Sequence, residues 1–371
     1  MTLAETVKTF RVGARLILIG AGLLLFGRIA LAITGSALPG PRPTPTPTPP
    51  AGFGKLPTLE IDFLALDTST TPTAVLDLIS AVLPEAPQTI PVYSIAESSA
   101  RFLLEEKANT IASRFGLTGS PEISNTHYIW RNNQHYLAID KTTLNIDYQY
   151  DYHTAPELFT PGVFFSTSKI TDIGRKVLEQ KKLDYGLEES KPRYQLLKFQ
   201  DGELRQASNL RDTSAVKINF SLPSQDQYPI VEQDPQNAQI SVVFTGNLRD
   251  RDSYGTILEL QSVRWTVLHE KLSSYPVKSS SQAWEEFINT KKYIVQLSPR
   301  GWDSTLPVSP QRVTEFRARE VFLAYFNPLT YQKYLQPVWV FKGNAVLLNL
   351  QLADWQAYIP AIPDEWIEQG E

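Results

Sequence analysis

The 371-residue chain has no cysteine, one methionine and four histidines. Without cysteine there is no disulfide framework, cysteine-ligated zinc site, thiol nucleophile or lipid-linked N-terminal cysteine. His127, His135, His153 and His269 form neither an HExxH spacing nor a close pair, so neither a metal nor a cofactor is expected. A glycine-rich phosphate loop and a G-x-S-x-G elbow are missing too. There is no basic excess: residues 1–50 carry +4, and the total of −4 leaves −8 on the remainder. An acidic body does not draw nucleic acid by long-range electrostatics.

What is present begins with an apolar run. Leu16–Phe26 reads LILIGAGLLLF, and Ile29–Ile33 continues it. From Val12 to Ser36 the stretch suits a membrane-spanning helix, which needs roughly 20 residues. Lys8, Arg11 and Arg15 on its N-terminal side place that end in the cytoplasm by the positive-inside rule. Arg28 has two readings. It snorkels to the outer headgroups, or it pairs with an acid on a partner's membrane helix. Ala30-Leu31-Ala32 has the form of a signal-peptidase site. Cleavage after Ala32 and retention are both open, and the stalk that follows favours retention. That stalk, PGPRPTPTPTPP over 39–50, adopts polyproline II and spans roughly 35–40 Å.

The body alternates helices with strands. Leu59–Leu66 suits a strand and Ala74–Leu83 a short helix. Glu97–Phe115 is a helix with Ala100, Leu104, Ala108, Ile111 and Phe115 on one face and Gly116 as its stop. Strands His127–Arg131 and His135–Asp140 flank Asn132-Asn133, where asparagine tolerates a positive φ. In Leu144–His153, the tyrosines at 148, 150 and 152 share one face, opposite Asp147, Gln149 and Asp151.

The pattern then recurs. Helix Lys169–Leu183 precedes strands Arg193–Phe199 and Glu203–Ala207 around Asp201-Gly202, and an alternating run from Val216 to Leu222. Strand Gly255–His269 changes parity near Gln261, as at a bulge or a passage between sheets. A third helix, Ser281–Asn289, and four strands complete the chain. The expected fold is α+β: one transmembrane helix, a Pro/Thr stalk, then tandem units of a helix and an antiparallel meander. The expected divisions are 1–11, 12–36, 37–57, 58–165 and 166–371.

Several C-terminal residues carry a resemblance. Ser281–Phe287 (SQAWEEF, with Trp284), Val321–Phe326 (VFLAYF, with Tyr325), Tyr334–Phe341 (YLQPVWVF, with Pro337 and Trp339) and Ala357–Ile362 (AYIPAI, with Tyr358) stand in succession. This resembles the PepSY-like domains of envelope proteins, in particular the YycH/YycI-type membrane-anchored regulators of a cell-wall histidine kinase. The resemblance implies a single-pass, non-catalytic protein that acts by binding other envelope or membrane proteins.

Catalytic patterns are sparse. Ser166-Thr167-Ser168-Lys169 matches the S-x-x-K of penicillin-binding proteins, without a K-T-G or S-D-N partner. A serine N-cap for the following helix is the plainer reading. Asp250–Gly255 begins like a calcium loop, but Gln261 occupies the place of its glutamate. The expected function is a membrane-anchored extracytoplasmic protein that binds or regulates another envelope protein. A cell-wall or glycan-binding module is the alternative, and a Ser166/Lys169 hydrolase a distant third.

Overall fold

The computed structural model describes residues 52–368, except 67–70, 97–102, 165, 185–186, 188–191, 291–292 and 307–310. The chain runs β1 (Thr73–Leu76), β2 (Thr89–Ile95), α1 (Leu104–Arg114), β3 (Glu122–Ile123), β4 (His127–Arg131), β5 (His135–Asp140) and β6 (Ile146–Tyr150). Next come α2 (Thr167–Gln180), β7 (Arg193–Gln200), β8 (Glu203–Gln206), β9 (Ala215–Phe220), β10 (Ile230–Glu232), β11 (Ile240–Gly246) and β12 (Tyr254–Ser262). The last elements are β13 (Val267–Pro276), α3 (Ser280–Thr290), β14 (Ile294–Pro299), β15 (Val313–Asn327), β16 (Tyr334–Leu335), β17 (Pro337–Leu347) and β18 (Leu352–Pro360).

The first lobe is one nine-stranded sheet in the order β3-β4-β5-β6-β12-β11-β9-β7-β8. The first unit is the expected meander, β4-β5-β6 after α1; the second is not a meander, because after the β7-β8 hairpin β9 returns to pair with β7. The hairpin β11-β12 then pairs with β9 on one side and β6 on the other. An unpaired edge strand presents open N–H and C=O groups, and here the hairpin satisfies the inner edge of both three-stranded units. Ile111, Phe115, Ile170, Ile173 and Val177 from the helices share one core with Trp130, Leu137, Ile218, Phe244 and Leu260 of the sheet.

Local chemistry sets the ends of these elements. Gly116 (φ +75) stops α1. The two helix C-termini meet and cap each other. Arg114 Nη1 donates to the Lys181 carbonyl at 3.1 Å, and Lys181 Nζ donates to the Arg114 carbonyl at 2.5 Å. Each cation thereby meets the negative end of the other helix dipole. Asp201 and Gly202 both take positive φ, as a tight hairpin requires. The asparagine turn works differently from expectation. Asn132 turns the chain through its side-chain carbonyl, which accepts from the N–H groups of Gln134 and His135.

The second lobe holds a six-stranded sheet, β1-β15-β17-β18-β14 with β10 also paired to β15, and a three-stranded sheet, β13-β2-β16. Its core gathers Trp284 and Phe287 of α3 with Phe316, Phe341 and Trp355, joined by Val92 and Tyr93 of β2. The capping box Ser279/Gln282 starts α3: Ser279 Oγ accepts from Gln282 N–H, and Gln282 Oε1 accepts from Ser279 N–H. The opposite face, around Phe326, Val338 and Val340, is covered by an extended segment that inserts Leu59 and Ile61. Glutamine side chains hold that segment in place of a strand ladder. Gln233 bonds both backbone groups of Asp62, Gln332 the carbonyl of Glu60, and Gln336 that of Pro57.

Three expectations are corrected. Among the described residues there are three α-helices against eighteen strands in three sheets, so the protein is mainly β and not a tandem α+β array. The physical reason is the shared hairpin, which fuses the two expected units of helix and strands into one sheet, so tandem PepSY-like units do not form. The expected spanning helix at 12–36, its flanking Arg15, the Arg28 within it and the 39–50 stalk lie outside the described residues. Among the described residues no helix is long and apolar enough to cross a membrane, so single-pass membrane placement with an extracytoplasmic body finds no support. The helix expected at 74–83 is instead β1, whose pairing with β15 outweighs local propensity.

The long strands β15 and β17 pair through Gly343, which stands opposite Ala318 beside a register shift to Glu320. A Cβ at Gly343 would lie 2.0 Å from the Arg317 carbonyl oxygen. Backbone cannot yield as a side-chain tip does, so Gly343→Ala is expected to cost at least about 2 kcal/mol. Urea denaturation of the variant against the wild type measures it.

Candidate functional site

The helices cover one face of the nine-stranded sheet, and the other is partly open: Ala138, Asn219, Ser241 and Val243 are buried on it, while Asp147, Gln149, Glu259 and Arg193 are exposed. Register pairing lays two rows of side chains across the open face. Tyr136, Gln149, Glu259, Val243, Lys217 and Gln195 form one row. Ala138, Asp147, Gln261, Ser241, Asn219 and Arg193 form the next. A β-bulge puts Glu259 in its row: the register shifts between Val243 and Phe244, so Leu258 and Glu259 both reach the open face.

The face grades from apolar to polar. At one end Leu197, Ala215, Val243 and Leu258 lie under Leu158 and Phe159. Phe159 stacks on Phe199 with centroids 4.2 Å apart. At the other end the second lobe supplies the rims. Gln195 Nε2 donates to Ser304 Oγ at 2.7 Å on one flank, and Arg264 N–H donates to Asn145 Oδ1 at 2.9 Å on the other. Three cavities open along the rows. One of about 390 Å³ holds Tyr136, Gln149 and Glu259, with Tyr152 and His153 at its mouth. A second, about 310 Å³, holds Asp147 and Gln261 beneath Trp265 and Tyr331. The third, about 420 Å³, holds Arg193, Gln195 and Asn219 beside Gln236 and Ser304.

The charges on this floor are unequally engaged. Lys217 Nζ donates to Asn237 Oδ1 at 2.8 Å, and Arg193 donates to the Pro235 carbonyl. Arg131 lies over the Tyr136 ring, 5.0 Å from its centroid, and 3.7 Å from Glu122. Asp147 and Glu259 make no ion pair among the described residues. Partial enclosure pushes the Glu259 carboxyl above its usual range; Lys217 opposes the shift and Asp147 adds to it. Glu259 keeps an exposed surface, so the cause is a concave wall and not a sealed pocket.

The residues singled out in the sequence fall elsewhere. Trp284, Tyr325, Pro337, Trp339 and Tyr358 are all buried in the second lobe. Trp339 Nε1 donates to the Lys278 carbonyl at 2.8 Å, Tyr325 Oη to that of Pro91 at 2.6 Å, and Tyr358 Oη to that of Glu232 at 2.9 Å. They tie core to backbone and bring no chemistry together. Tyr148 is buried against Phe115 and bonds His135 Nδ1 at 2.8 Å, while Tyr152 packs under the apolar end of the open face. Asp250–Gly255 is a hairpin turn, with Asn247 Oδ1 accepting from Arg249 and Asp250 N–H.

Ser166 and Lys169 do not form a nucleophile and its base. Ser166 Oγ accepts from the Lys169 backbone N–H at 3.3 Å, as an N-cap. Lys169 Nζ turns to Asp252 Oδ1 at 2.9 Å, and that bond raises the lysine pKa and lowers that of the aspartate.

The two polar rows were half visible in the sequence. The alternation at Leu144–His153 marks Asp147 and Gln149 as a wet face, and that at Val216–Leu222 marks Lys217 and Asn219. Nothing local indicates that these faces share one floor, because strand order decides that. Ser166→Ala is expected to cost about 0.5–1 kcal/mol of stability through the lost cap, and no more, by thermal unfolding.

No protein-family model and no curated protein matches the chain. Among solved structures, it is similar to the crystal structure of an uncharacterized protein from Eubacterium rectale ATCC 33656. The two share 12% identity over 73% of this chain and 82% of that one, with a TM-score of 0.39.

Proposed function

We propose that this protein is a non-catalytic binding protein that holds a segment of a partner protein across the open face of its nine-stranded sheet. The observation that carries this reading is the asymmetry of the sheet: one face lies under two helices, while the other exposes Asp147, Gln149, Glu259 and Arg193 around a buried centre, between rims from the second lobe. A half-buried sheet face of this kind needs a ligand or water for its polar groups. The row spacing, set by the strand period, suits an extended polypeptide whose alternate side chains enter successive cavities. The C-terminal resemblance to regulators that act by binding points to the same kind of role.

A glycan is the second reading. Tyr136 and Tyr152 flank the first cavity beside Gln149 and Asp151. A ring face with planar hydrogen-bonding groups beside it suits a sugar.

A photo-crosslinking residue at Gln149, on the floor, separates these readings from a merely structural face when compared with one at Lys176 on α2. In native extract, position 149 is expected to capture one dominant protein that position 176 does not. Adding Glu259→Lys is expected to reduce that capture about tenfold, as a misplaced charge at an interface costs on the order of 1–2 kcal/mol. Equal capture from both positions would refute the reading. Capture of carbohydrate alone would replace it with the glycan reading.

A further inference from the structure

Glu232 stands apart from every other acidic residue of the second lobe. It ends β10, beside the passage from the six-stranded sheet of one lobe to β11 of the other. The residue is 7% exposed, and its Oε1 atom has no hydrogen-bond partner. The groups around it are specific. The Gln239 N–H bonds its carboxyl. Gln239 and Asn327 are joined twice: Gln239 Nε2 donates to the backbone carbonyl of Asn327 at 2.9 Å, and Asn327 Nδ2 donates to Gln239 Oε1. Tyr358 Oη donates to the backbone carbonyl of Glu232. The charged groups facing the carboxyl are Arg193 at the start of β7 and Asp234 just beyond β10. Arg193 is bonded to the Pro235 carbonyl, and no ion pair to Glu232 exists among the described residues.

We propose that Glu232 is a proton-operated latch between the two lobes, sealing their junction when neutral and loosening it when ionised. A neutral carboxyl with a single backbone donor is tolerable in a dry junction. An ionised one without a counter-charge is not, because burying an unpaired charge costs far more than burying a neutral polar group. The structure can relieve that charge in two ways. Water enters the junction and breaks the Gln239–Asn327 pair, or Arg193 leaves Pro235 for the carboxylate. Either change moves the start of β11 relative to the end of β15. It also disturbs the third cavity, which Arg193 lines.

Burial raises the Glu232 pKa to about 7; the Gln239 N–H and Arg193 oppose the shift, and Asp234 adds to it. A carboxyl with a raised folded pKa stabilises the fold fully below its unfolded value. That contribution is lost as pH rises from the ordinary glutamate range through about 7. The latch therefore loosens on going from mildly acidic to mildly alkaline conditions.

Hydrogen–deuterium exchange on the full chain tests the latch, with Glu232→Gln as the permanently neutral form and α2 as the internal reference. At about pH 4 the wild type and the variant are expected to exchange alike over 230–241 and 325–336. By about pH 8.5 the wild type should exchange between about three- and three-hundredfold faster there than the variant, the upper bound being set by the difference between the ordinary value of 4.5 and the folded value of about 7. A ratio that stays flat with pH would overturn the proposal. So would a variant that loosens as the wild type does. If the variant does not fold, carboxyl carbon NMR of the wild type decides. A Glu232 midpoint above about 6 supports the latch, and one near the ordinary glutamate value of about 4.3 refutes it.

Discussion

The architecture of the first lobe depends on one constraint, the need to satisfy the inner edges of two small sheets. Each unit of a helix and three strands, taken alone, leaves a strand with open backbone groups, β6 in one and β9 in the other. The β11-β12 hairpin closes both edges at once. Because the hairpin is antiparallel to both neighbours, the two helices fall on the same side. There they share a core and cap one another through Arg114 and Lys181. The opposite face is left open as a consequence of that packing.

The second lobe gives the open face its boundaries. Its own core is dense in aromatic rings, with Phe287 stacked on Trp355 at 5.2 Å and Phe316 edge-on to the same indole at 5.0 Å. Rings of this size each contribute roughly 1.5–3 kcal/mol on burial. The exposed loop 300–306 forms one rim, joined to the sheet by the Gln195–Ser304 bond. Glutamine and asparagine side chains make several of the contacts between segments that share no ladder: Gln195 to Ser304, Gln239 to Asn327, Gln233 to Asp62. An amide both donates and accepts without carrying charge, so it joins polar backbone at an interface without the desolvation cost of an ion pair. Glu232 is the exception within this set, and its ionisable group makes that junction sensitive to pH.

Much of the local structure was legible before the fold was known. Hairpin strands at 127–131 and 135–140, the helix stop at Gly116, the serine cap at Ser166 and the buried tyrosine at 148 follow from periodicity and turn chemistry. The parity change in Gly255–His269 reflects two events, a bulge beside Glu259 and a passage to another sheet after Ser262. The turn at 348–351 was not legible. It contains neither glycine nor proline, puts Leu350 at φ +65, and relies on Asn349 accepting from Gln351 N–H. The strand β1 was read as a helix because its partner lies some 240 positions away in sequence.

By itself, the sequence determined which residues alternate, where most turns fall and which large side chains form the core. These depend on neighbours within one helical turn or one strand period. Only the tertiary structure decided that two units become one sheet, that Asp147, Glu259, Asn219 and Arg193 lie on one floor, and that Glu232 is buried without a counter-charge. Each of these depends on strand order and register between distant segments, and strand order is settled by which edges remain open once the local pieces have formed.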